Sequence, residues 1–412
     1  MSIKKHINFL LDVFIYTISA FGGPQGHIGM LHKKFVLQKN YLTEEELFEY
    51  FSFCQLLPGA SSTQTIALIG YKKGGLFLSL ITLLIWITPA CILMTFFSML
   101  ISDNLNHTIN KSIFQFIQPM AIGFLFYTIY NMYLSSITNI ITKIIMLFSA
   151  VITIFLFKSP WIFPLLIISA GLITNISNKR IANTEVSKQN KVKWHNLLIF
   201  LFLFILAGFL SETARKQNWE NRKVYNLFEN FYRFGSIVFG GGDVLLPMML
   251  DQYIERPLSK ENTNNTIVID KEELINGYGI VRVIPGPVFS IASYVGSLSF
   301  KKEGQSKQII GAITGAIALF LPSVLILFFL FPIFQNIKNN AIVFRALEGI
   351  KSVIVGLLIA TSYYLLKDSF PIDLKISTIN IAVIFGTFII QKQTKLHSPF
   401  IVLICLLLGW VF

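Results

Sequence analysis

The chain has 412 residues, of which 54% are hydrophobic and 13% charged. A soluble domain carries about 25% charged residues, so an ordinary soluble fold is excluded. The net charge of +13 lies mostly between apolar runs, where it suits loops against anionic headgroups rather than nucleic acid. Cys54, Cys91 and Cys405 are far apart and sit in apolar runs, so they form no disulfide framework or metal pair and read as small buried side chains.

The chain opens with Lys4-Lys5-His6 and an apolar run. That is how a signal peptide starts, but no small-residue cleavage site follows, and the segment reads as a retained first helix. This first span, about residues 7–30, is interrupted by Phe21-Gly-Gly-Pro24, with Gln25 and His27 just after. Thr43-Glu-Glu-Glu46 is a helix-start pattern. The next apolar segment contains Gln55-Leu-Leu-Pro-Gly-Ala-Ser-Ser-Thr-Gln64. Pro-Gly stops a helix, because proline lacks a donor and clashes with the preceding turn. Tyr71-Lys-Lys-Gly-Gly75 is a short basic turn. A long span over 76–101 carries Pro89, and further spans are expected near 113–134, 137–157 and 161–176. The polar, basic stretch 178–193 is the clearest internal boundary and the best candidate for a cytoplasmic loop. One more span, 195–210, follows it.

From there the landmarks return in the same order. Phe239-Gly-Gly-Gly242 matches Phe21-Gly-Gly-Pro24 at an offset of 218, and Pro285-Gly286 matches Pro58-Gly59 at 227. Pro322 matches Pro89, and Gly356 matches Gly123, both at 233. Chance alignment of glycines and prolines is the competing reading, but four landmarks in order favour an internal repeat. The division expected is a first transmembrane repeat over 1–177, a basic loop with a linker helix over 178–226, and a second repeat over 227–412. The fold class is an all-α polytopic membrane protein of two repeated helical bundles with Pro-Gly-broken helices. The odd linker inverts the second bundle if each broken segment crosses fully; re-entrant hairpins are expected to change that parity.

Phe21-Gly-Gly-Pro-Gln-Gly-His27, the Gln55–Gln64 stretch, Ile69-Gly-Tyr-Lys-Lys-Gly74, Phe239-Gly-Gly-Gly242, Leu246-Pro247 and Ile284-Pro-Gly-Pro-Val-Phe289 together resemble the chromate ion transporter family. The resemblance covers nearly the whole chain and recurs in both halves. It implies an inner-membrane carrier of about thirteen spans with antiparallel halves, exporting chromate; sulfate is a related oxyanion. Three positions depart from the family's pattern. Ala60 stands where a second proline is usual, Arg282 where glutamine is common, and Asp243 where an apolar or aromatic residue is usual.

A tetrahedral dianion at low dielectric needs donors and positive potential. The first N–H groups of a helix restarted after a break supply both. The candidate binding residues are Gly22, Gly23, Pro24, His27, Gln55, Pro58, Gly59, Ser61, Ser62, Thr63 and Gln64 from the first half. Gly240, Gly241, Gly242, Arg282, Pro285, Gly286, Pro287 and Lys351 come from the second. Ser61, Ser62 and Thr63 equally suit helix capping, and His27 suits polar packing or a proton relay. The second half carries charge where the first carries amides: Arg282 for Gln55, Lys351 for Gln118, Asp243 for Gln25. Ionisable residues in spans are functional candidates. Arg282, with Lys351, is the expected partner of the anion; Asp243 is a coupling group or the ion-pair partner of Arg282, and the pair equally suits a purely structural role. Arg233 is expected to snorkel to the interface, and Gly311-Ala-Ile-Thr-Gly315 to pack helices.

The expected function is secondary transport of chromate or a sulfate-like oxyanion, in the direction of efflux, across the plasma membrane. A carrier of another small or organic anion, a channel and a membrane-embedded enzyme are the rivals. The sequence has no G-x-x-x-x-G-K-[ST] loop, no H-E-x-x-H cluster and no dinucleotide loop in a βαβ setting, so no cofactor is expected. Expected partners are membrane lipids and the oxyanion, with a coupled proton or ion and a homodimer both compatible with the reading.

Overall fold

The computed structural model describes residues 3–21, 23–104, 114–156, 162–176, 194–239, 241–258, 267–333, 341–368, 374–394, 396 and 398–411. The basic stretch 178–193 lies outside them, as do Gly22 and Gly240. Among the described residues there are helices and no strands. Four of these helices are long and apolar enough to cross a bilayer: residues 61–101, 195–216, 305–330 and 345–367.

The first repeat begins with two helical hairpins. Helix α1 (Ile3–Ser19) runs to the glycine break, and α2 (Gly23–Leu31) returns beside it, continuing as a π-helical stretch, His32–Gln38. Tyr16 donates to the His27 carbonyl at 3.2 Å, the Phe9 and Phe35 rings lie 6.1 Å apart, and the Asp12 carboxylate takes Tyr41 Oη at 2.7 Å and Lys39 Nζ at 3.0 Å. These pairs fix an antiparallel arrangement. Helix α3 (Glu44–Gln55) starts with Thr43 as N-cap in a full capping box with Glu46, which satisfies two orphan donors at once. After Pro58-Gly59 the chain turns back as the first arm of α4 (Ser61–Asn104), and Lys72 meets Glu46 at 2.5 Å. At Gly74-Gly75 the helix breaks, Gly75 at φ +72°, and the long arm 76–104 departs. Helices α5 (Ile117–Ser136), α6 (Ile140–Leu156) and α7 (Ile162–Asn175) complete the set, and α8 (His195–Lys216) links it to the second.

The second repeat retraces this plan. Helix α9 (Arg222–Ile237) is answered by α10 (Leu245–Leu250), a π-helical stretch Asp251–Glu255 and the short α11 (Arg256–Leu258). Arg233 reaches Gln252 at 3.1 Å, and the Phe231 and Tyr253 rings lie 6.0 Å apart. Helix α12 (Lys271–Ile280), capped by Asp270, and α13 (Ile291–Leu298) form the hairpin around Pro285-Gly286. Lys301 meets Glu273 at 2.6 Å, and Tyr294 donates to the Glu273 carbonyl at 2.9 Å. Gly304, at φ +94°, then turns the chain into α14 (Gln305–Leu330). Helices α15 (Ala341–Asp368), α16 (Leu374–Gln393) and α17 (Ser398–Val411) follow.

The repeats interlock reciprocally. Gly123 of α5 packs on Ile384 and Thr387 of α16, while its counterpart Gly356 of α15 packs on Met146 and Ser149 of α6. A side chain at either glycine would displace the facing helix, because backbones approach this closely only where Cβ is missing. Exchanging the repeats maps each contact onto the other, which is the signature of an approximate two-fold relation. As expected, the GxxxG pair is packing: Gly311 lies against Gly296, and Gly315 against the Ala292 carbonyl.

The broken segments, left open by the sequence between a full crossing and a re-entrant hairpin, are hairpins. Two expectations are corrected. Hairpins do not change the parity, because each adds no crossing or two and each repeat has two of them. Arg233 does not snorkel; it bonds Glu229 at 2.8 Å and Asn230 at 3.0 Å within the protein.

Candidate functional site: four hairpin tips and a partly buried ion pair

Each helical arm of the Pro-Gly hairpins has roughly eight to thirteen residues. At about 1.5 Å per residue that reaches no more than about 20 Å, short of a bilayer core about 30 Å thick. The arms are therefore too short to cross, and the backbone groups freed at the tips need partners within the protein. They find them in one another. Gly59 N–H donates to the Val238 carbonyl at 2.7 Å, and Gly286 N–H donates to the Ala20 carbonyl at 2.9 Å. Each Pro-Gly tip thus bonds the residue just before the glycine-rich break of the other repeat. Within the first repeat, His27 Nδ1 lies 3.2 Å from Ser62 Oγ. Within the second, Gly242 packs on Val288, and Asp243 pairs with Arg282. The four interruptions close into a ring of contacts.

Glycine is required at both Pro-Gly tips. Gly59 and Gly286 hold φ +116° and +119°, a region L residues avoid. Neither has space for a side chain: Gly59 abuts Ser323, just after Pro322, and Gly286 abuts Ala90, just after Pro89. Each tip is seated on the proline-bearing helix of the opposite repeat.

The one ion pair described in the ring lies on the second-repeat side. Asp243 follows the glycine break. Its Oδ1 accepts from Tyr278 Oη at 2.7 Å and from Arg282 Nη2, and its Oδ2 accepts from Thr128 Oγ1 at 2.8 Å. Arg282 Nη2 also donates to Tyr278 Oη at 2.6 Å, and the guanidinium lies 5.1 Å from the Phe124 ring centre and 5.0 Å from that of Tyr278. Such stacking suits a planar, weakly hydrated cation. Arg282 Nε has no hydrogen-bond partner among the described residues. The side chains keep 14% and 17% exposure, so the pair is neither sealed nor freely solvated. Because Thr128 and Phe124 belong to α5, the cluster joins the two repeats.

The remaining candidates separate into groups. Ser62, Thr63 and Gln64 make tertiary bonds: Thr63 accepts from Trp86 Nε1 at 2.9 Å, and Gln64 donates to the Pro58 carbonyl and to Ser323 Oγ, both at 2.9 Å. Ser61 is half-buried. His27 is buried edge-on against Trp86, as a packing residue would be. Pro58 and Pro287 are buried, while Pro285 and Gly241 are partly so. Gly23 and Pro24 lie in α2. Gln55 ends α3 exposed, and Lys351 is half-buried on α15 with no described bond to Arg282. Sequence reasoning missed Tyr278, Thr128 and Phe124. Tyr278 was findable, four residues before Arg282 and in the last turn of the helix that leads to it; Thr128 and Phe124 carry no local signal. It also missed Asp12 and Asp251, buried acids that brace hairpin bases, Asp251 through Arg256 at 2.5 Å.

A helical membrane protein of two like repeats, whose broken helices meet around a buried charge, has the architecture of a transport protein. The chain belongs to the chromate transporter family, whose model matches residues 7–175 and 225–410, once in each repeat. It is similar to an uncharacterized transporter of Methanocaldococcus jannaschii, 25% identical over 98% of this chain and 94% of that one. A chromate transport protein of Cupriavidus metallidurans is 21% identical, covering 95% of this chain and 89% of its own. A probable chromate transport protein of Synechococcus elongatus is also 21% identical, over 95% and 92%. No solved structure matches the chain.

Proposed function

We propose that this chain is a multi-pass plasma-membrane carrier that exports chromate, or a sulfate-like oxyanion, by alternating access between its two repeats. The observation that carries the reading is Arg282, a fixed guanidinium held inside the ring of hairpin tips beside the opposite repeat. A tetrahedral dianion pairs with such a fork through two parallel hydrogen bonds. The restarted helices α13 and the first arm of α4 turn their positive ends toward the same ring. The glycines, prolines and hydroxyls of the tips line it, with Arg282 as the main cation and Asp243 as the group where a coupled proton or ion would act.

The alternation follows from parity. In each repeat two hairpins add an even number of crossings, and we take the four remaining elements, 76–104 with α5 to α7 in the first and α14 to α17 in the second, as one crossing each. The linker α8 adds one, so the second repeat, 227–412, enters inverted relative to the first, 1–177, with the linker segment 178–226 between them. Two inverted halves meeting at a shared site can exchange conformations and so expose that site to one face and then the other. Radiolabelled chromate and sulfate flux in proteoliposomes, with and without a pH gradient, tests the reading. Saturable flux of either oxyanion that disappears in Arg282→Gln is expected. Flux of an organic anion alone would move the chain to another substrate, and conductance without saturation would make it a channel.

A further inference from the structure

We infer that the Asp243 carboxylate is a tethered occupant of the anion site, which an incoming oxyanion must displace, and that its displacement unties the two repeats. The inference rests on the function proposed above. The described oxygens of Asp243 take three hydrogen bonds, from Arg282, Tyr278 and Thr128. A guanidinium, a phenol and a threonine hydroxyl converging on two oxygens make the kind of donor set a small oxyanion needs, so the carboxylate stands where an anion would stand.

The first repeat offers the comparison. There the corresponding positions are Gln25, Phe51 and Gln55, and the counterpart of Thr128 is Thr361, buried and bonded to the Leu357 carbonyl of its own helix. The residues at these corresponding positions carry no charge. A purely structural need for an ion pair would apply to both places, since both repeats build the same tip. The pair is thus a feature of one repeat alone; in the proposed site its cation serves the ligand, and the carboxylate keeps that cation neutralised while no ligand is present. A buried arginine without a counter-ion is strongly destabilising.

The same carboxylate is the link to α5. Oδ1 holds the end of α12 through Tyr278 and the turn after it through Arg282, and Oδ2 holds α5 of the other repeat through Thr128. An oxyanion that takes over Arg282 and Tyr278 pulls the carboxylate from both, and the Thr128 bond goes with it. Substrate binding and loosening of the repeat interface are then one event.

The test is sulfate and chromate binding to the purified full-length protein in detergent, read by calorimetry and by the shift of the thermal midpoint. Asp243→Asn is expected to bind sulfate at least tenfold more tightly than the parent. It should also be destabilised without anion and rescued by sulfate well beyond the parent's own shift. Thr128→Val keeps both charges and loosens the carboxylate, so it is expected to tighten binding about threefold. Asp243→Gln/Arg282→Gln, which recreates the amides of the first repeat, is expected to fold and not bind. Loss of binding in Arg282→Gln, with Asp243→Asn and Thr128→Val no tighter than the parent, overturns the tethered occupant and leaves the anion site standing. Unchanged binding in Arg282→Gln overturns the site itself.

Discussion

At the scale of single residues, two glycines join the repeats at the hairpin tips. Gly59 and Gly286 combine a left-handed backbone with a donated hydrogen bond to the opposite repeat and contact with a proline-bearing helix. A left-handed conformation costs an L residue about 1–2 kcal/mol, and the blocked Cβ adds to it. Gly59→Ala is therefore expected to lower the thermal midpoint in detergent and to abolish transport, with Gly286→Ala doing the same. Gly29 meets nothing within 4 Å at its Cβ position, so Gly29→Ala serves as the control and should fold as the parent does. A Gly59→Ala variant as stable as that control would remove the tips from the centre of the fold. The residues around Arg282 divide differently. Arg282 and Asp243 were legible because charge inside an apolar segment is conspicuous. Thr128 was not, because a threonine on a membrane helix usually bonds its own backbone, as Thr361 does at the corresponding position.

At the scale of elements, hairpins replace the interrupted spans that apolar run lengths suggest. Hydropathy reads how much apolar chain there is, and an interrupted span and a hairpin contain the same amount. The reversal is carried by polar pairs that are distant in sequence. Glu46 and Lys72 close one hairpin base, and Glu273 and Lys301 close its counterpart. The landmarks that were readable, Pro58-Gly59 and Pro285-Gly286, mark where the chain stops; only the distant pairs show where it goes next. The two bases differ in burial, which gives a measurable asymmetry. Glu46 and Lys72 are each 34% exposed, whereas Glu273 is 7% exposed. Removing one partner of an exposed pair costs about 0–1 kcal/mol, and stranding a buried charge costs about 3 kcal/mol or more. Lys301→Met is expected to destabilise the protein clearly in thermal unfolding, and Lys72→Met hardly at all. Equal shifts would mean that the two hairpin bases sit in equivalent surroundings.

At the scale of the whole molecule, the repeat was readable because glycine and proline mark backbone geometry directly. Its interlocked packing was not, since reciprocal contacts such as Gly123 on α16 and Gly356 on α6 join residues far apart in sequence. The same reciprocity sets up the topology. An approximate two-fold that exchanges Gly59–Val238 with Gly286–Ala20 leaves open which way each half faces the membrane, and the count of crossings supplies that direction. In the proposed topology, an odd linker between even halves puts the base of the first Pro-Gly hairpin at one membrane face and the base of the second at the other. Lys72 and Lys301 mark those bases and both retain exposure. In a background with Cys54, Cys91 and Cys405 replaced by serine, Lys72→Cys and Lys301→Cys are each expected to react with a membrane-impermeant maleimide from one side only, and from opposite sides. Oriented vesicles, right-side-out and inverted, give the readout. Labelling of both from the same side would make the halves parallel. A conformational exchange between repeats would then no longer swap the faces to which the ring opens, and alternating access would need another hinge.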